Sequence, residues 1–415
     1  MQAASPPSPT SSPLASPRVQ RNNIWRLAIA QALAGANSVV PYAVGGIVGY
    51  TLAPLPVLAT LPLTLFVVGM TLCTLPTGAI AGRYGRRTAF LSGSGAGVLA
   101  GLVAVGAVMV GGVTGFWLYC LSTLLGGAYA AVVLSFRFAA ADGVEPARKA
   151  QALSLVMAGG VAAGVVGPQL VNWTMDLLPE PMFVVTFYAQ AAVAALCALI
   201  LLGVRLPRPV HPSGRGGRPM GNILRQPRFI AAIACGAISY TLMNFLMTAA
   251  PLAMHMHGHS TESSNLGLQW HVIAMFAPSF FTGKVIARFG AEQVMVVGLL
   301  LIGISAAVGL GGMDVSHFWW TLILLGLGWN FGFLGASALV LQCHTDDEKT
   351  RVQSVNDFIV FGLMALGSFA SGGILSAFGW SAVLWTAFPP LAITLVALVA
   401  LQMRTRAVGS PSVKG

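Results

Sequence analysis

Charge is scarce in this chain. Only 8% of its 415 residues are Asp, Glu, Lys or Arg, where a soluble domain carries about a quarter. That shortage excludes an ordinary water-soluble globule. The five Cys (Cys73, Cys120, Cys197, Cys235, Cys343) form no CxxC and no framework spacing, so no disulfide scaffold is implied. There is no Walker A loop, hence no ATP engine in the chain. No Asp or Glu lies in the middle of a long apolar run, which leaves a carboxylate proton relay without support. No Lys or Arg lies there either, so a cavity for a strongly charged organic anion is unsupported. Residues 1–22 hold almost no bulky apolar side chain and no h-region. They are expected as a disordered tail, not a signal peptide.

What is abundant is apolar surface. The chain is 56% hydrophobic, its mean hydropathy is +0.79, and its 49 Gly suit close helix packing in lipid. Runs long enough to cross the hydrocarbon lie near 25–51, 56–81, 88–110, 113–135, 151–173 and 181–204. Six more lie near 229–255, 263–287, 292–311, 316–341, 353–378 and 380–403. The spacing predicts an all-α polytopic membrane protein of twelve spans in two six-helix bundles, 23–204 and 229–403. A Pro-, Gly- and Arg-rich linker, 205–228, joins them, and 404–415 is expected as a C-terminal tail. In this arrangement all 22 Lys and Arg fall on one side. That side is expected to be cytoplasmic, with both termini, in a bacterial inner membrane. The net charge of +11 is thus a topology signal, and no nucleic-acid partner is expected. The lipid bilayer is the expected partner, the chain is expected as a monomer, and no enzymatic role is expected.

An internal repeat supports the two bundles. Gly78-Ala-Ile-Ala-Gly82-Arg83-Tyr-Gly85-Arg86-Arg87 and Gly283-Lys-Val-Ile-Ala-Arg288-Phe-Gly290 share G-x4-R-aromatic-G, offset by 205 residues. The first stretch resembles the G-x3-D-R-x-G-R-R signature of the major facilitator superfamily, with Gly82 where that family usually carries Asp. The resemblance implies two pseudo-symmetric bundles around a midplane cavity and alternating access. The gating pair made by the missing Asp must be absent or replaced. Asp142 and Asp357, towards the ends of spans 4 and 11, are candidate partners for Arg86 or Arg87; the bland alternative is that these Arg anchor a short loop at the headgroups. Gly160-x3-Gly164-x2-Gly167-Pro168 in span 5 is expected as close helix packing.

Soft ligands cluster in the second half. Met243 and Met247 share one face of span 7, as His271 and Met275 share one face of span 8. At a rise of about 1.5 Å per residue, Met247 and His271 lie at similar depths, roughly 12–13 Å from the outer surface. Met243 and Met275 pair deeper, roughly 18–20 Å in. Met254, His255, Met256, His257 and His259 follow towards the outer mouth, and Cys235 lies further in. Thioether sulfur selects Cu(I) over harder ions. Met is also a common filler of membrane helices, so a lone pair is more often packing. The two pairs look like the signature of the CcoA-like branch of the superfamily, whose type member imports copper for assembly of the cbb3-type cytochrome c oxidase. By that resemblance Met243, Met247, His271 and Met275 would be copper ligands.

Some members of that branch import riboflavin instead. Gln31, Asn37, Gln190, Tyr240, Asn244, Trp329 and Asn330 would then line a cavity for a flat polar ring, with the Met as apolar contacts. Gly328-Trp329-Asn330-Phe331 is a run associated with the branch, and Trp329 and Asn330 could equally support the wall. The preferred expectation is a copper importer, with copper as cargo and no permanently bound cofactor. The alternative is an organic-solute importer, riboflavin first. A receptor or scaffold role is disfavoured by the two-fold repeat.

Overall fold

A computed structural model describes residues 16–55, 58, 61–175, 177–178, 181, 183–206 and 217–409. The first half holds α1 (Pro17–Leu52), α2 (Leu61–Tyr84), α3 (Arg86–Val110), α4 (Gly112–Ala139), α5 (Pro146–Thr174) and α6 (Val184–Leu202). The second holds α7 (Pro227–Met256), α8 (Thr261–Phe276 and Ser279–Phe289), α9 (Ala291–Leu310) and α10 (Val315–Val340). A last helical run, Lys349–Trp385, is broken at Gly379, where φ is 78°. We call the part before the break α11 (349–378). The chain turns there, and α12 comprises 380–385 and Phe388–Gly409. Ten described helices are long and apolar enough to cross a membrane, or eleven with the two parts of α8, which meet at 41°. The expected span near 353–378 falls on α11, which is helical throughout and packed against α2 and α7 but is not among those ten or eleven.

Three sequence boundaries shift. Helix α1 begins at Pro17, because Pro is preorganised for the first helical position and its missing N–H costs nothing there. Residues 17–22 are therefore helix, not tail. At the other end α12 runs to Gly409, beyond residue 403. The linker contributes a short helix, Met220–Leu224, and α7 starts at Pro227. The rest of the expected tails and linker, 1–15, 207–216 and 410–415, lies outside the described residues.

The repeat is visible in the backbone. Gly85 (φ 93°, ψ 156°) and Gly290 (φ 88°, ψ 152°) cap the starts of α3 and α9 in the same conformation, one that L side chains rarely adopt. Each half packs internally, and the halves meet through α2 against α11 and α5 against α8. Side chains such as Ile393, Val396 and Leu366 remain largely exposed, as a lipid-facing rim would be.

Candidate transport pathway and gate

Gly78 and Gly283, the first residues of the two repeat motifs, sit at the crossings between halves. A Cβ on Gly78 would stand 1.8 Å from Ser354 Oγ of α11; one on Gly283 would stand 2.5 Å from Gln151 Cα of α5. Only Gly lets the helices approach so closely. Span 5 behaves as expected of its small residues: Gly160 and Gly164 lie against Phe276 and Val272 of α8. Ser154 ties these helices further, donating to Ser279 O and accepting from Gly283 N.

Buried charges close the same face. Arg86, at the start of α3, donates through Nε to Asp142 Oδ2 and through Nη2 to Gln353 Oε1, both at 2.6 Å. Lys349 Nζ lies 3.3 Å from the other Asp142 oxygen. Asp142 is thus the acid that Arg86 meets, and a Cβ on Gly82, where the family motif has Asp, would stand 3.2 Å from Thr350 Oγ1. Burial works against the Asp142 charge, but Arg86 and Lys349 together outweigh it and hold its carboxyl below the usual range. Asp357 pairs with neither Arg86 nor Arg87. Its partner is Arg137, from the end of α4, with Nη2 donating to Oδ1 at 2.5 Å. Arg137 also donates to Ser337 Oγ at 3.2 Å and lies over the Phe138 and Phe333 rings at 4.2 and 4.7 Å. Its sequence position suggested only a loop charge; an aromatic on either side of it was the one available hint. Arg87 is exposed, as is Arg83, which covers the Tyr84 ring. Between these pairs remains a cavity of about 20 Å³ lined by Gly78, Arg86, Gln353 and Asp357. That is room for about a single water, too little for a solute to pass between these two pairs.

Deeper in, Tyr240 meets Trp329, Phe333 and Phe361 edge-on at 5.1–5.5 Å, and Trp329 stacks on Phe333 at 5.1 Å. Phe276 of α8 abuts Trp329. Asn330 has another task. Its Nδ2 donates to Met275 O and Ser279 Oγ, and its Oδ1 accepts from Thr282. These bonds staple the break of α8, where Pro278 cannot donate and a carbonyl would otherwise lie bare in the membrane. Asn37 is similarly engaged, donating to Gln190 O of α6. Gln31 Oε1, Asn244 Nδ2, Trp329 Nε1 and His271 Nε2 are among the buried polar atoms that have no hydrogen-bond partner among the described residues. Such orphans are costly unless something pairs with them.

The soft ligands divide. Met243 and Met275 are buried, Met247 is half-buried, and all belong to or pack on one apolar cluster. His271 is fully buried; its Nδ1 bonds Leu322 O at 2.7 Å. A carbonyl only accepts, so Nδ1 carries the proton and Nε2 presents a lone pair. Cys235 packs against Gly332 O at 3.7 Å. Met254 is buried, while His255 and Met256 are exposed. His257 bonds Ala253 O and His259 bonds Met313 O, so each has one ring nitrogen engaged. Among the described residues, no three His, Cys, Asp or Glu group to hold a metal.

The family model described as Major Facilitator Superfamily matches residues 27–277 and 234–415. The chain belongs to the major facilitator superfamily. It is 48% identical to the riboflavin transporter RfnT of Brucella anthropi over 385 residues, 91% of this chain and 95% of that one. It is 27% identical to the uncharacterized MFS-type transporter YdeG of Bacillus subtilis over 401 residues, 92% of each chain. Among solved structures, the superfamily transporter FucP in its outward conformation aligns with TM-score 0.72 at 13% identity, covering 90% of this chain and 97% of its own. A bacterial homologue of the iron transporter ferroportin aligns at 0.70 with 14% identity, covering 93% and 100%. The fold and relatives are therefore those of a polytopic membrane transporter of small solutes.

Proposed function

We propose that this transporter imports a flat, polar organic solute of the riboflavin class by alternating access across a bacterial inner membrane. The observation that carries this reading is its 48% identity, over 91% of the chain, to a riboflavin transporter. The site chemistry agrees. Gln31 Oε1 from the first half is an unpaired acceptor, and Asn244 Nδ2 and Trp329 Nε1 from the second are unpaired donors. A heteroaromatic solute carrying carbonyls and ring N–H groups complements that set, and the aromatic group around Tyr240 suits a flat ring. The deciding experiment gives this protein to a riboflavin auxotroph lacking its own transporter and measures growth and labelled riboflavin uptake at low supply. Growth no better than the empty host would sink the reading.

One observation keeps a copper importer as a second reading. The His271 Nε2 lone pair is buried and unpaired, with its Nδ1–H anchored on a carbonyl as in metal-ligating His. It is the weaker reading, because the relative's substrate points elsewhere. Copper and riboflavin accumulation measured in the same transport-deficient host separates the two.

A further inference from the structure

A second basic feature lies apart from the gate. Arg18 and Arg26 of α1, Arg87 of α3 and Arg205 beyond α6 line a cavity of about 520 Å³ together with Asn22 and Asn23. No Asp or Glu among the described residues lines it. Among the described residues, none of the four guanidiniums is in an ion pair. Sidedness of insertion requires positive charge on this face but does not require charges to converge on one cavity. Here they do converge, and one is held in place. Buried Asn23 donates to Arg205 O at 2.6 Å and accepts from Arg205 N at 2.9 Å, fixing the backbone that carries that side chain. Arg26 Nη1 reaches Ile200 O at the end of α6 at 3.3 Å. The four side chains are exposed, and with no acid among them they give the cavity a positive potential that favours a bound anion.

The surroundings indicate which anion. Leu202, which lines the cavity, and Trp25, next to Arg26 in α1, are 45% and 64% exposed. An exposed Trp alongside Arg residues is what the headgroup layer favours. We propose that this cavity binds the phosphate headgroup of an anionic phospholipid of the arginine-bearing leaflet, its acyl chains running along α1 and α6. Basic pockets between transmembrane helices are suited to such headgroups. Arg supplies forked donors to the phosphate oxygens.

The test uses the purified full chain, native mass spectrometry and thermal unfolding. The probes are phosphatidylglycerol, phosphatidylcholine and inorganic phosphate. Phosphatidylglycerol is expected to remain bound and raise the melting temperature, and the other two are not. At about 1 kcal/mol per Arg, Arg26→Gln with Arg205→Gln should weaken phosphatidylglycerol binding roughly thirtyfold. Arg288→Gln, an exposed Arg elsewhere, should leave it unchanged. Equal stabilisation by phosphatidylcholine, or by inorganic phosphate, would overturn the lipid assignment. Undiminished binding by the double variant would overturn the site. Should that variant fail to fold, hydrogen exchange on the wild-type chain decides. Phosphatidylglycerol must slow exchange across 18–26 and 203–206 relative to phosphatidylcholine, and no protection there refutes the proposal.

Discussion

Arg137 of α4 and Asp357 of α11 form an ion pair at 2.5 Å, with side chains 0% and 5% exposed, across the junction between the two halves. Its energetics are asymmetric. Both charges have lost water, so the intact pair adds little net stability, but removing one partner strands the other. The pair therefore acts as a condition on the closed face: the face closes with both residues present, and each is left costly when the halves part, unless water enters.

Neutralising one member should disrupt closure. Asp357→Asn or Arg137→Gln is expected to cost the closed state about 3–5 kcal/mol. A cysteine placed in the 20 Å³ cavity, at Ser354, should then react faster with a thiol reagent from the arginine-bearing side. The double variant should recover part of the loss. If its effect equals the sum of the single effects, the pair is not coupled.

The glycine crossing makes a steric prediction. Gly78→Val places a side chain where Ser354 Oγ already lies, so uptake should fall by at least about tenfold while the protein still inserts. Gly46, with no atom within 4 Å of its Cβ position, is the control: Gly46→Ala should leave uptake unchanged. Normal uptake by Gly78→Val would show that this approach is not needed during transport.

Acid should loosen the linker from the loop between α10 and α11. Glu348 accepts from Arg218 Nε and Nη2 at 2.9 and 2.7 Å and from the backbone of Arg218 and Thr345. These hydrogen bonds, the side-chain ones of Arg218 foremost, lower its carboxyl from the ordinary 4.5 to about 2. A depressed acid stabilises the fold fully above its unfolded value, and the contribution is lost as pH falls from there through the folded one. Melting temperature should thus hold from pH 7 to about 5 and drop below about 4.5. Glu348→Gln should be less stable at pH 7 and lose part of that acid limb. Asp142, held low by Arg86 and Lys349, shifts the same way and leaves a residual slope.

Substrate contacts can be sorted from wall supports. Trp329→Phe keeps the ring stacking but removes the unpaired N–H. It should weaken riboflavin uptake about three- to tenfold, the worth of one hydrogen bond, through KM. Asn330→Ala should instead lower melting temperature, since it frees the α8 break. Met247→Leu should be mild for riboflavin uptake, since the side chain serves there as an apolar contact. Abolished copper accumulation in Met247→Leu and His271→Leu, with riboflavin uptake intact, would reverse the order of the two readings.

The amino-acid sequence by itself determined the helical crossings and the two-fold repeat. Those follow from local quantities: length of apolar run and the recurrence of Gly85 as Gly290. It also marked Asp142 as an acid within reach of the Arg86 loop. Which neighbour each polar group meets was decided only by tertiary packing. Asp357 went to Arg137, Asn330 to the broken α8, Asn37 to Gln190, and His271 to Leu322. Helical periodicity says which face a residue occupies, but the partner is set by which helix lies against that face. In lipid, where an unpaired polar group is expensive, that choice separates a residue used up in holding the wall from one left free for cargo.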